Sequence, residues 1–222
     1  MSANPRWKKY IGLIGILFLF PLIWLLFFGV YGKHHFNTLP YYGPDSPAEG
    51  ADTTDFTVPD FSFINQDGQV YNMDSLRGKV WLAAFYSSSS EHFAKITERL
   101  LNVNWKYREE RDIVIVSFST DFTSDSAAQL NNYVRQNTRY NVFPGKWQFL
   151  TAPDSLMQGF IRDGFLINDL GSEAIFRLVD EKGQIRGLYG NTEYHMRNAS
   201  EDIALLRKEI DLRAYNERRK NK

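Results

Sequence analysis

Residues 10–32, YIGLIGILFLFPLIWLLFFGVYG, run for twenty-three positions without a charge. A helix of that length rises about 35 Å, enough to cross a hydrocarbon layer of roughly 30 Å. A soluble helix of this size keeps a polar face and this stretch has none, so it is expected to span a membrane, with Pro21 as a site for a kink. Arg6, Lys8 and Lys9 precede the run and only Lys33 closely follows it. The positive-inside bias therefore predicts residues 1–9 as a cytoplasmic tail, with everything after the span on the far side. No small-x-small cleavage pattern follows and no cysteine can take a lipid, so the run reads as a retained anchor. No Arg- and Ser-rich transit stretch precedes it, which favours a single-pass protein of a bacterial inner membrane with a periplasmic carboxyl-terminal domain.

The charges balance, 26 basic against 26 acidic, so no general field draws the molecule to nucleic acid. Zero cysteines among 222 residues excludes disulfides, thiol catalysis, thiol–disulfide exchange and thiolate-ligated metals on chemical grounds alone. Residues 33–57 hold Pro40, Pro44, Pro47, Gly43 and Gly50 with few aliphatic side chains, and are expected to act as a tether. Tyr41 and Tyr42 would rest near headgroups or on the domain surface. His34 and His35 are adjacent, so on an extended chain they point to opposite sides and make a poor metal site.

From residue 58 to 212 strands alternate with helices, the pattern of a layered α/β domain. Residues 61–64 and 69–71 flank NQDG, where Asp67-Gly68 supplies a hairpin turn. Residues 79–86, KVWLAAFY, read as a central strand covered on both faces, and 112–119, DIVIVSFS, as a second interior strand. Between them Phe93, Ile96, Leu100 and Val103 recur at helical spacing, with Ser90 as the expected cap. Ser126 and Gln129 form a capping box for a helix whose inner stripe is Ala127, Leu130 and Val134. A short strand follows at Trp147, then a helix over 156–165 and a hairpin of 174–179 with 184–189. A last helix is predicted over 201–212, with Ile203, Leu206 and Ile210 inward and Glu201 and Asp202 at its positive end. Asn198 and Ser200 would mark its start, and 213–222 a basic carboxyl-terminal tail able to contact acidic protein or anionic lipid.

This order is that of a thioredoxin-like fold with an added amino-terminal β-hairpin, and the residues carry a resemblance to the Sco/SenC family, membrane-tethered copper chaperones of respiratory oxidase assembly. VPDFSFINQDGQV is similar to the family's opening and LRGKVWLAAFY to its first core strand. SFSTDFTSDSAAQLNNYV resembles its S-x-D-x-x-x-D segment, with Asp121 and Asp125 at the acidic positions. KWQFLTA is similar to W-x-F-L-T-G, with Ala152 in place of the glycine. The arrangement of anchor, tether and outward domain is also the family's.

The resemblance implies a copper site of two cysteines in C-P-x-x-C-P after the first core strand, completed by a histidine before the later hairpin. Laid on FYSSSSEHFAKI, that pattern puts Ser89 and Phe93 at the cysteine positions, and counting back from AIFRLVD puts Ser172 near the histidine. A hydroxyl is a hard neutral ligand and a phenyl ring offers nothing, so the family's copper has lost its ligands and no cofactor is expected. His92 is the salvage candidate, about 100° around a helix from residue 93 and facing solvent, with Asp169 and Met157 as further donors. The serines suit a turn; no G-x-S-x-G elbow is present and His92 alone of the four histidines is near. The sequence thus describes a non-catalytic accessory or scaffold that binds a respiratory oxidase subunit, a Sco-like partner or another assembly factor. The alternatives are a copper chaperone with a relocated site and a thioredoxin-fold enzyme of unknown reaction.

Overall fold

The computed structural model describes residues 20, 38–44, 56–120, 126, 128–129, 131–132, 136, 145–169 and 174–220. The chain divides into two units, Met1–Asn37 and Thr38–Lys222. Of the first, only Phe20 is described, helical and exposed, so the expected span and the His34–His35 pair lie outside the described residues. Among the described residues no helix is long and apolar enough to cross a membrane.

The second unit is built on a seven-stranded mixed sheet in the order β2-β1-β5-β4-β3-β6-β7. In chain order these are β1 (Ser62–Asn65), β2 (Val70–Asn72), β3 (Val80–Tyr86), β4 (Ile113–Ser119), β5 (Trp147–Thr151), β6 (Ile175–Val179) and β7 (Ile185–Gly190). Strands β3, β4 and β5 run parallel, and the β1–β2 and β6–β7 hairpins pair antiparallel on either side. The α/β, thioredoxin-like architecture expected from the sequence is therefore present, including the extra amino-terminal hairpin, whose turn uses Gly68 at φ +75°.

Strand β3 is buried along its whole length because both faces are covered. Alternation sends Val80, Leu82, Ala84 and Tyr86 to one core and Trp81, Ala83 and Phe85 to another. The first core is closed by helices α1 (Phe93–Lys106) and α3 (Glu193–Lys220), the second by α2 (Asp154–Phe165). The helical stripe read from the sequence is the buried face of α1: Phe93, Ile96, Leu100 and Val103 are each at most 4% exposed. Each such side chain contributes on the order of 1.5–3 kcal/mol through removal from water. The second core holds the rings of Phe85, Phe118, Phe160 and Phe165 in mutual contact. The capping box is formed: Ser126 Oγ accepts from Gln129 N at 3.2 Å, and Gln129 Oε1 accepts from Ser126 N at 2.9 Å. Ala127, Leu130 and Val134 lie outside the described residues.

Three expectations are corrected. The last helix does not begin at Glu201. It starts at Glu193, where Thr192 Oγ1 accepts from His195 N, and it continues through Lys220, so most of the supposed tail is helix. Asn198 and Ser200 are interior to it, and Asp202 accepts a hydrogen bond from Tyr189 Oη instead of facing the helix dipole. The second correction concerns the tether. Leu39 is buried in the first core and Tyr42 bridges Ile185, so residues 38–44 are fastened along β7. Arg186 is the cause. Its fully buried guanidinium donates to the carbonyls of Leu39 (2.7 Å) and Pro40 (3.2 Å) and lies 3.9 Å from the Tyr41 ring. Tyr41 and Tyr42 thus take the second of their two expected places, on the domain. Third, the amino-terminal cap of α1 is His92 and not Ser90, and its side chain makes no capping bond.

Candidate functional site

Residues 87–92 leave the carboxyl end of β3 and bend twice before α1 begins. Ser90 N donates to Ser87 O at 3.2 Å and Phe93 N to Ser90 O at 3.0 Å, giving two successive turns. Hydroxyls tighten them: Ser87 Oγ accepts from Ser89 N at 3.0 Å, the Ser87 and Ser89 hydroxyls lie 2.6 Å apart, and Ser90 Oγ accepts from His92 N. These are side chains substituting for backbone partners at a bend, the ordinary role of serine in turns. The turn expected from the four serines is therefore the one observed.

The residues singled out from the sequence separate in space. Ser89 is exposed, with its hydroxyl spent on Ser87. Phe93 points the other way: it is buried in the first core, its ring 5.6 Å from that of Tyr86. His92 is 46% exposed and directs Nε2 to Glu91 Oε1 at 3.3 Å; it faces solvent as expected, but as the cap before the helix and not from a position on it. Met157 is buried in the second core on α2, among Trp81 and Phe165, and its sulfur is a packing atom. Asp169 is exposed, while Ser172, Asp121 and Asp125 lie outside the described residues.

This donor set does not fit a soft copper ion. The two positions that the resemblance gives to thiolates present a hydroxyl and a core phenyl ring on opposite sides of the helix start. Among the described residues no three of His, Asp and Glu converge as a metal group. Beneath the loop the structure instead supplies a neutral hydrogen-bonding network. Ser117 Oγ accepts from Tyr86 Oη at 3.1 Å and from Trp147 Nε1 at 2.8 Å, joining β3, β4 and β5 inside the core.

Two features escaped sequence reading. Arg177 on β6 is largely buried and donates to Phe165 O, the last carbonyl of α2, and to Phe176 O. Burial pushes its guanidinium down to about 10, still charged at neutral pH, and the charge suits the negative end of α2. A groove of 530 Å³ lies between α1 and α3, lined by Arg99, Asn102, Lys106, Tyr194, Arg197 and Ser200 among others. Its cations are partly engaged: Arg99 donates to Asn191, and Lys106 to Ser200. The signal for the groove was present as Arg99 and Lys106 on the outer face of a helix, but only the early start of α3 makes a second wall.

A family model described as SCO1/SenC matches residues 49–142. The SCO1 protein homolog of Bacillus subtilis (strain 168) is 33% identical over 103 residues, which is 46% of this chain and 52% of that protein. The chain thus spans about half the length of the curated relative it matches. Among solved structures it is similar to BsSco, described as a member of the Sco family of cytochrome c oxidase assembly proteins with a disulfide switch. That likeness has 27% identity and a TM-score of 0.57, covering 67% of this chain and 92% of the other. Yeast Sco1 with copper bound is similar at 18% identity and a TM-score of 0.53, covering 67% and 90%, a likeness of fold.

Proposed function

We propose, on the premise that this chain belongs to the SCO1/SenC family, that it is a membrane-anchored accessory protein of respiratory oxidase assembly which acts by binding and carries no copper. The observation that carries this reading is the place of Phe93. A ring packed on Tyr86 in the core occupies a position where the family resemblance requires a ligand, so the fold is kept while the grip on the ion is replaced by packing. The absence of any cysteine removes thiol redox chemistry as well, and the serine loop presents no activated nucleophile, so the protein is not an enzyme in this reading.

Its partners are then an oxidase subunit, a cysteine-bearing Sco-like protein or another assembly factor. Residues 10–32 would hold it in a bacterial inner membrane with the domain in the periplasm. Anchoring confines both partners to one surface and raises their effective concentration, so a weak interface suffices. The groove between α1 and α3, whose lining sets Arg99, Lys106 and Arg197 beside Glu193 and Glu201, is a surface suited to a polar partner segment.

A second reading, copper at a relocated site, is favoured by one observation: His92 is exposed on the very loop the family uses. Titration with Cu(I) against a chromogenic chelator separates the two. The accessory reading expects no copper retained by the full-length chain; stoichiometric Cu(I) that is lost on His92→Ala would establish the second. Crosslinking in intact membranes completes the test, with oxidase components or a second Sco-like protein as the expected capture and an unrelated periplasmic set as the result that overturns the pathway.

A further inference from the structure

Two side chains that each carry an unpartnered buried atom share the walls of one cavity. Among the described residues, Trp81 Nε1 on β3 and Glu181 Oε2 in the β6–β7 turn are closed off from solvent and make no hydrogen bond. Both residues line a cavity of 200 Å³ in the domain, at the end of the sheet opposite the serine loop. Val58, Met73 and Leu76, each at most 6% exposed, give it an apolar wall. Of its charged residues, Arg77 pairs with Asp60 at 3.3 Å, Glu181 Oε1 accepts from Arg213 at 3.0 Å, and Lys182 is exposed. The interior therefore holds no unbalanced charge and suits a neutral occupant. Backbone bonds hold the walls: Val58 N donates to Gly183 O at 2.8 Å and Gly78 N to Glu181 O at 3.0 Å, so the cavity is formed without a ligand.

A buried donor or acceptor left unmade keeps its full desolvation cost, which a ligand supplying the missing bond removes. An indole N–H can only donate and a carboxylate oxygen accepts, so the complement carries one acceptor and one donor. A single water takes up about 30 Å³ of liquid and would leave the apolar wall bare. An apolar cavity of about 150 Å³ admits benzene, so one of 200 Å³ has room for a ring with a small polar group. An amide puts an acceptor and a donor on separate atoms of one rigid plane. We propose that this cavity binds a small neutral molecule bearing a primary amide on an apolar body, its carbonyl accepting from Trp81 Nε1 and its N–H donating to Glu181 Oε2.

Benzamide is the probe, and acetophenone, of the same shape without the N–H, is its control. Full-length protein in detergent micelles, isotope-labelled at tryptophan, reports each indole N–H as a separate magnetic resonance signal, and Trp81→Phe assigns the one concerned. The expected result is a saturable shift of the Trp81 signal with benzamide while those of Trp105 and Trp147 do not move, and an affinity roughly tenfold weaker for acetophenone. In Glu181→Gln a donor replaces the free acceptor while Oε1 still accepts from Arg213, so benzamide should fall to the level of acetophenone. The comparison of the two probes on the wild type decides the matter even where that variant does not fold. Equal affinity for both probes, or a benzamide shift unchanged in Glu181→Gln, marks an apolar hollow in which the polar pair plays no part, and overturns the inference. So does the lack of any saturable shift, with a cross-peak from water to the Trp81 indole N–H as the sign that solvent fills the cavity.

Discussion

At the end of the sheet bearing Tyr86 and Ser119, the serine loop is held by hydroxyls and backbone bonds. At the other, near Val80 and Ile113, the chain is held by guanidinium forks. The serine loop has Ser87–Ser89 contacts at the surface and a neutral network behind it. The opposite end has Arg186 with Asp180 and Glu209, Arg207 with Glu110 and Asp112, and Arg213 with Glu181. The difference teaches where this fold keeps its tolerance. Exposed hydroxyl contacts exchange with water at little cost, so the serines of the loop can be replaced without unfolding the domain. Buried ion pairs cannot lose one member without stranding the other. The serine loop is replaceable, and the end that fastens residues 38–44 is not.

The sharpest way to break that contrast is Arg186→Met. It removes the partner of the fully buried Asp180 and frees Leu39 and Pro40, with an expected loss of about 3–5 kcal/mol in chemical denaturation. The triple variant adding Asp180→Asn and Glu209→Gln should recover part of it, since no uncompensated charge is then buried. Gly187→Ala comes next. A Cβ there would collide with the Tyr189 ring, whose hydroxyl crosses Gly187 to reach Asp202 at 2.8 Å. The expected cost is about 1–3 kcal/mol, with loss of hydrogen-exchange protection concentrated between β7 and α3.

Alkaline pH tests a third region, the amino-terminal hairpin. Burial pushes the Tyr71 hydroxyl up to about 12, above its unfolded value of 10.0. A raised folded value means its contribution is complete below pH 10 and is lost as pH climbs toward 12, at most roughly 2–3 kcal/mol. Arg177, whose folded value is lowered, acts in the opposite sense above about pH 10, so the Tyr71 effect is read as the difference between wild type and Tyr71→Phe. The stability of wild type should fall relative to that of Tyr71→Phe, by up to this amount, as pH rises from 9 to 12 in urea titrations. The smallest effect is expected for Ser89→Ala, within about 0.5–1 kcal/mol of wild type, because its hydroxyl partner is exposed. A larger loss would show that the serine loop is a structural support and erase the contrast between the ends.

Much of the fold was legible from short-range pattern. The uninterrupted apolar strands, the Asp67-Gly68 turn, the Ser126–Gln129 box and the stripe on α1 each depend on residues within a few positions of one another. Where reading failed, the signal was local but outweighed. Thr192 before Glu193 marks the start of α3, yet the first turn of that helix has little apolar periodicity, and the acidic pair at 201–202 offered a competing start. At the candidate site, element identity settled the chemistry without any geometry: a chain with no sulfur thiol has no thiolate, whatever its shape. That Ser89 and Phe93 face opposite ways required the helix start to be seen at His92.

By itself, then, the amino-acid sequence determined the order of strands and helices and the absence of any thiol, because periodicity, turn chemistry and atom type need no knowledge of distant contacts. Only the tertiary structure decided that residues 38–44 are part of the domain, that Arg186 is buried and that the Tyr189 ring fills the space beside Gly187. Leu39 and Arg186 are 147 positions apart, and Tyr189 crosses Gly187 to an acid on another element. Such contacts exist only after distant segments close on one another, and no local rule encodes which acceptor a buried guanidinium will find.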